Sequence, residues 1–190
     1  MKSLARALWL VLRRRSDVPP DGAAIGYSGV LRPLFWALLA VNPVDIVLVE
    51  VLVKIDWLRI VLLMLGILGL LWFVALVATL YKYPHAIGRD GLRIRYLAFF
   101  DSRIPLAKIA SVRQANRSRE LRRGVDVVED GVLAVEVMKS TNVSVTLAEP
   151  HPVAVRRTGA AEITQLDFWA DDPRAAVAEI RQRLESAVAG

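Results

Sequence analysis

The chain has no cysteine, so disulfide frameworks and thiolate metal sites are both excluded, in keeping with a reducing interior. Histidine is nearly absent too: His85 and His151 are the only two, too few for a zinc set or a nucleophile–base–acid triad. The glycines, Gly22, Gly26 and Gly29 among them, fit neither a phosphate loop nor a dinucleotide fingerprint. Asp171 and Asp172 are adjacent carboxylates, but their place just before Pro173 reads as helix capping and not as acid–base chemistry. No catalytic constellation, metal site or cofactor motif emerges, and the expectation is a protein that is not an enzyme and carries no cofactor.

Apolar residues are abundant instead. They make up 55% of 190 positions, and the mean hydropathy is +0.41, too high for an ordinary water-soluble fold. The excess lies between Leu34 and Tyr81; beyond Lys82 charges recur every few residues. Three regions follow: a basic surface segment and linker over residues 1–29, a transmembrane hairpin over 30–83, and a water-facing domain over 84–190.

Ile60 to Tyr81 contains no charge, and as a helix it would extend about 33 Å, enough to cross a bilayer. Trp57 and Arg59 at one end and Tyr81, Lys82 and Tyr83 at the other suit the two interfaces. Leu34 to Val53 is long enough but imperfect, since it contains Asn42, Pro43, Asp45 and Glu50. Each central acid costs about 3 kcal/mol on insertion scales, and Pro43 should kink the helix. Helical spacing puts Asn42, Asp45 and Glu50 on one face, which should turn inward to the second span or a homologous partner. An ion or proton relay is one reading of these residues. The other places Glu50 near the headgroups and Asp45 neutralised beside the proline break; a re-entrant first segment is a further alternative.

The net charge of +6 is concentrated early, with six basic groups against two acids up to Pro33. Five basic residues follow the second span through Arg103, whereas the connecting turn has only Lys54 and Arg59. The positive-inside rule therefore places both termini in the cytoplasm and the chain in the cytoplasmic (inner) membrane. Lys2, Arg6 and Arg13 share one helical face opposite Leu4, Leu8, Val11 and Leu12. With Arg14 and Arg15 they form a candidate membrane-surface helix, a frayed basic tail being the alternative. No cleavage site follows, so no signal peptide is expected. Asp17 to Gly29 reads as a turn-rich linker.

After Lys82 the periodicity alternates, as in half-buried strands. Asp90-Gly91 is a hairpin signal joining His85–Ile87 to Leu92–Phe100, with Arg93 and Arg95 opposite Leu92, Ile94 and Tyr96. Further strands are expected at Ser111–Ala115, Val132–Met138, Asn142–Leu147, Val153–Arg157 and Ile163–Trp169, about seven in all. Asn116 to Gly131 reads as a long loop, and Glu149-Pro150-His151-Pro152 as a break. Asp172 caps a last helix lined by Val177, Ile180 and Leu184. The fold class is thus α+β.

Seven strands and one closing helix, carried by GRDGLRIRY, RIPLAKIASVR and LDFWADDPRAAVAEIRQRL, resemble a bacterial pleckstrin-homology-like (PH-like) domain behind two transmembrane helices, as in uncharacterised actinobacterial-type membrane proteins. The arginine-over-lysine bias agrees with a bacterial, GC-rich genome. The resemblance implies a bent barrel capped by the helix, and binding or assembly in place of catalysis. It supplies no ligand. Candidate binding groups are Arg93, Arg95, Arg113, Arg117, Arg119, Arg122 and Arg123, facing anionic lipid headgroups, an unknown protein partner or a second copy. The alternative for this cluster is a solvated, partly ion-paired face, because the region from His85 onward has 16 basic against 14 acidic groups. Nucleic acid is not expected as a partner, because that surplus is small and no aromatic platform accompanies it.

Overall fold

The structure, a computed structural model, describes residues 18–19, 21–97, 99–118, 121, 124–128, 131–155 and 159–188. The candidate surface helix with Lys2, Arg6, Arg13, Arg14 and Arg15 lies outside the described residues, as do Arg119, Arg122 and Arg123.

Two long apolar helices come first. Helix α1 spans Arg32–Leu52 with Pro33 in its first turn, where a missing N–H costs nothing. It continues through Pro43 without interruption, so the re-entrant alternative is not what the backbone adopts. Three residues later α2 runs from Asp56 to Lys82. Both are long and apolar enough to cross a membrane. Their side chains stay largely outside any protein core: none of α1 is buried, and α2 buries only Ala75, Ala78, Thr79 and Leu80 near its end. Along its uncharged length α2 is apolar on every face, the pattern of a helix suited to apolar surroundings, whereas α1 carries Asn42, Asp45 and Glu50.

The remainder is two sheets and a closing helix, α3, over Pro173–Val188. The first sheet has the order β1-β2-β3-β4, with β1 at Ala23–Ile25, β2 at His85–Gly88, β3 at Gly91–Tyr96 and β4 at Phe100–Ile104. The second has the order β5-β8-β9-β7-β6. Its strands are β5 Ile109–Ser118, β6 Val125–Val128, β7 Val132–Val135, β8 Ser140–Val155 and β9 Gly159–Phe168. One apolar core lies between the sheets: Ile87, Leu92, Ile94 and Ile104 from the first meet Leu133, Val143, Val145, Leu166 and Phe168 from the second. Ala176, Val177 and Ile180 of α3 complete it.

Several expectations need correcting. No ladder joins the two sheets among the described residues, so the bent barrel is not closed. The linker before α1 contains strand β1, antiparallel to β2 with Ala23 opposite Ile87 and Ile25 opposite His85. The helical hairpin is therefore an excursion between two neighbouring strands of one sheet. The Leu92–Phe100 segment turns at Leu97 (φ 52) and returns as β4. The expected loop at Asn116–Gly131 contains the end of β5 and all of β6. The expected break at Pro150 and Pro152 is instead one continuous strand, β8, whose register against β9 shifts between Thr146 and His151. An irregular ladder absorbs prolines that a regular one would reject.

The last helix starts as expected. Ala175 donates its N–H to Asp172 Oδ1 at 3.0 Å. Asp171 does something different: both carboxylate oxygens accept from Gly29 N at 2.9 Å, while Asp171 N donates to Gly26 O at 2.8 Å. This clip joins the end of the domain to the residues immediately before α1. Just beneath it, Asn142 bonds both backbone groups of Ala170, Nδ2 to O at 2.7 Å and N to Oδ1 at 2.8 Å. Asn142→Ala leaves two buried backbone groups without partners and is expected to cost about 3 kcal/mol, read from thermal unfolding of the purified chain in detergent.

Candidate functional site

The sequence alternation places Arg93 and Arg95 on the face of β3 away from the core, and both do point there. The surroundings are not open water. Strand β4 runs antiparallel with Arg95 opposite Asp101 and Arg93 opposite Arg103. Arg93 forms a two-pronged pair with Asp101, its Nε donating to Oδ1 at 2.8 Å. Arg95 Nε lies 3.6 Å from the same carboxylate. Its side chain is only 2% exposed, covered by Tyr83 just past the end of α2, with the guanidinium 5.6 Å from that ring. Arg95 is therefore an internal cation at the root of the hairpin, not an outward one.

Arg93 instead belongs to a groove of about 550 Å³ on the outside of the first sheet. Its charged lining is Arg89, Arg93 and Arg103 against Asp21, Asp90 and Asp101. Each arginine pairs with an acid: Arg93 with Asp101, Arg103 with Asp90, and Arg89 with Asp21 at 3.9 Å. A groove with equal numbers of both signs offers no surplus field for an anion.

Arg113 and Arg117 stand on β5. Arg113 is exposed, with no carboxylate partner among the described residues. Arg117 reaches across the second sheet, Nη1 donating to Asp167 Oδ2 at 3.0 Å. Asp167 is 1% exposed and also accepts from Gln165 Nε2 at 2.7 Å, while Gln165 donates to Ser144 Oγ at 3.1 Å. A buried carboxylate needs such partners, so Arg117 is committed to structure.

Among the described residues strand β5 is the outer strand of its sheet and pairs only with β8. Ala110, Ser111, Arg113, Gln114 and Asn116 along it are exposed. At one point its backbone is occupied: Arg181 Nη2 of α3 donates to Val112 O at 3.1 Å. Elsewhere no further strand lies beside it among the described residues, and Arg113 stands exposed along it.

Of the polar residues of α1, only Glu50 reaches α2 through an ion pair. Asn42 is half-buried and Asp45 exposed, while Glu50 pairs with Arg59 of α2 at 3.7 Å. Two helices packed side by side cover only a narrow stripe of each other, and Asp45 falls outside it.

The histidines are structural. His151 sits in the irregular part of β8, Nε2 3.0 Å from Arg103 O. His85 is fully buried between Tyr27, stacked at 4.6 Å, and Phe168, edge-on at 5.3 Å, and its Nδ1 accepts from Arg95 N. Burial pushes its pKa down to about 3; the Trp169 backbone opposes this and the Arg95 charge reinforces it. Tyr27 donates no proton readily, because burial raises its pKa strongly; its hydroxyl accepts from Leu97 N at 3.0 Å. Tyr96 is shifted the same way, by burial first and then the Glu136 charge.

Sequence reasoning missed Tyr27 and the buried acids Asp167 and Glu136, and it assigned Asp171 to helix capping where the carboxylate binds Gly29 N instead. Only Asp167 had a readable signal, as a charge set between apolar Leu166 and Phe168. No group of three or more His, Asp or Glu residues is placed to hold a metal ion among the described residues. No known family pattern, curated protein or solved structure matches the chain.

Proposed function

We propose that this chain is a non-enzymatic protein of the cytoplasmic membrane, whose PH-like domain acts as a protein-binding or assembly module at the inner leaflet. The observation that supports it is the β5 edge, ten residues with one neighbour in the sheet among the described residues. A partner segment or a second copy can add a strand there, with main-chain bonds giving affinity and Arg113 favouring acidic side chains. The clip from Asp171 to Gly29 and the burial of Tyr27 hold this edge at a fixed setting relative to the spans.

A photoreactive residue in place of Arg113, in the full chain in its own membranes, is expected to crosslink a homo-oligomer or one recurrent partner. The same residue in place of Arg174, on the exposed face of α3, should yield little. A chain that stays monomeric from both positions would count heavily against assembly.

The second reading is recognition of anionic lipid headgroups, favoured by the exposed and uncompensated Arg113. Vesicle binding that rises with anionic lipid and falls with salt supports it. Indifference to both removes it.

A further inference from the structure

We infer a binding site for one anionic phospholipid between α1 and α2, at the end of the hairpin nearest the domain. Phe35, Trp36 and Leu39 of α1 and Phe73, Val77 and Tyr81 of α2 line a groove of about 240 Å³. Phe35 packs edge-on against Phe73 with centroids 5.9 Å apart, forming an aromatic floor. Trp36 is 68% exposed, leaving one side of the groove open.

The groove is apolar along its length and basic at its mouth. Arg32, in the first turn of α1, carries its guanidinium 5.7 Å from the centre of the Tyr81 ring. It has no carboxylate partner among the described residues, unlike Arg93, Arg95 and Arg117. Lys82 ends α2 at the same level. An apolar slot below and a cation above match an amphiphile with a negative head: the acyl chain occupies the slot and the phosphate meets Arg32. A neutral zwitterionic lipid would fill the slot equally well but gain little from the arginine. The volume admits part of one chain and not a further helix.

This site rests on the membrane-spanning reading of the two helices and is independent of the β5 edge. The test begins by extracting membranes with alkaline carbonate; release of the chain into solution would overturn both the spanning reading and the site. The purified full chain in detergent is then mixed with phosphatidylglycerol and phosphatidylcholine of identical acyl chains, and bound lipid is counted by native mass spectrometry. The expected preference for phosphatidylglycerol is about fivefold, that of one cation facing one headgroup. Arg32→Gln should abolish the preference while sparing phosphatidylcholine adducts, and Val77→Phe, which fills the slot, should reduce both adducts. Equal retention of the two lipids by the unsubstituted chain overturns the site, as does a preference that survives Arg32→Gln. Dimer masses that disappear in Val77→Phe, with lipid adducts unchanged, would assign the groove to a second copy and overturn it as well.

Discussion

Gly91→Ala is expected to remove about 3–5 kcal/mol of stability, enough to leave the domain largely unfolded in a marginally stable chain. Two effects combine. The residue has φ +142, a conformation essentially closed to side chains, and a Cβ there would overlap the Ile104 carbonyl oxygen across the β3–β4 pair. The obstacle is backbone and cannot rotate away. Gly159 supplies the control: its φ is +78, but nothing lies within 4 Å of an added Cβ. Gly159→Ala should therefore cost only about 1 kcal/mol, the conformational penalty alone. Thermal unfolding of both variants in detergent, followed by near-ultraviolet circular dichroism, separates them; equal losses would show that the close approach to Ile104 is not maintained.

The second large effect is an acid sensitivity centred on His85. Its folded pKa of about 3 lies below the unfolded value of 6.5. Between those values the unfolded chain binds a proton that the folded chain does not, so stability rises with pH across this window and is lost as pH falls. The contribution is complete above pH 6.5 and declines by about 1.4 kcal/mol per unit below it, on the order of 4 kcal/mol by pH 3. His85→Gln keeps an acceptor for Arg95 N but cannot titrate. Its stability should fall less steeply between pH 6 and pH 4, by roughly 1 kcal/mol per unit, in chemical unfolding titrations. Parallel slopes for the two proteins would mean that protons reach His85 without unfolding the sheet.

What was readable in the residues were features with a strong local cause. An uncharged run of this length admits few alternatives to a long helix, and α2 extends past Ile60–Tyr81 by only a few residues at its start. Asp90-Gly91 marked a turn, and Asp172-Pro173 marked where α3 begins. What was not readable depended on distant neighbours. Ala23-Ala24-Ile25 is too short to show a period, and becomes a strand only because β2 lies beside it. Alternation correctly put Arg95 opposite Ile94, but local spacing cannot say that Tyr83 will cover it. The same holds for Asp171, whose neighbour caps the helix while its own carboxylate binds a segment 142 positions away. An ion-paired face was one reading of the arginines, but the particular partners of Arg93, Arg95 and Arg117 were not legible, because Asp101 and Asp167 come from other strands.

The pairing of β1 with β2 also sets an order of events during synthesis. Strand β1 emerges first, yet its partner follows about 60 residues later, after both long helices. Closing so long a loop carries an entropic cost that grows only slowly with length, provided the intervening chain is free to return. A hairpin of two apolar helices provides that return by bringing its ends back side by side. The first sheet thus gains its outer strand only when α1 and α2 have reached their antiparallel arrangement. A chain whose two helices failed to pair would leave the edge of β2 without β1 and expose the apolar faces of Ile25 and Ile87.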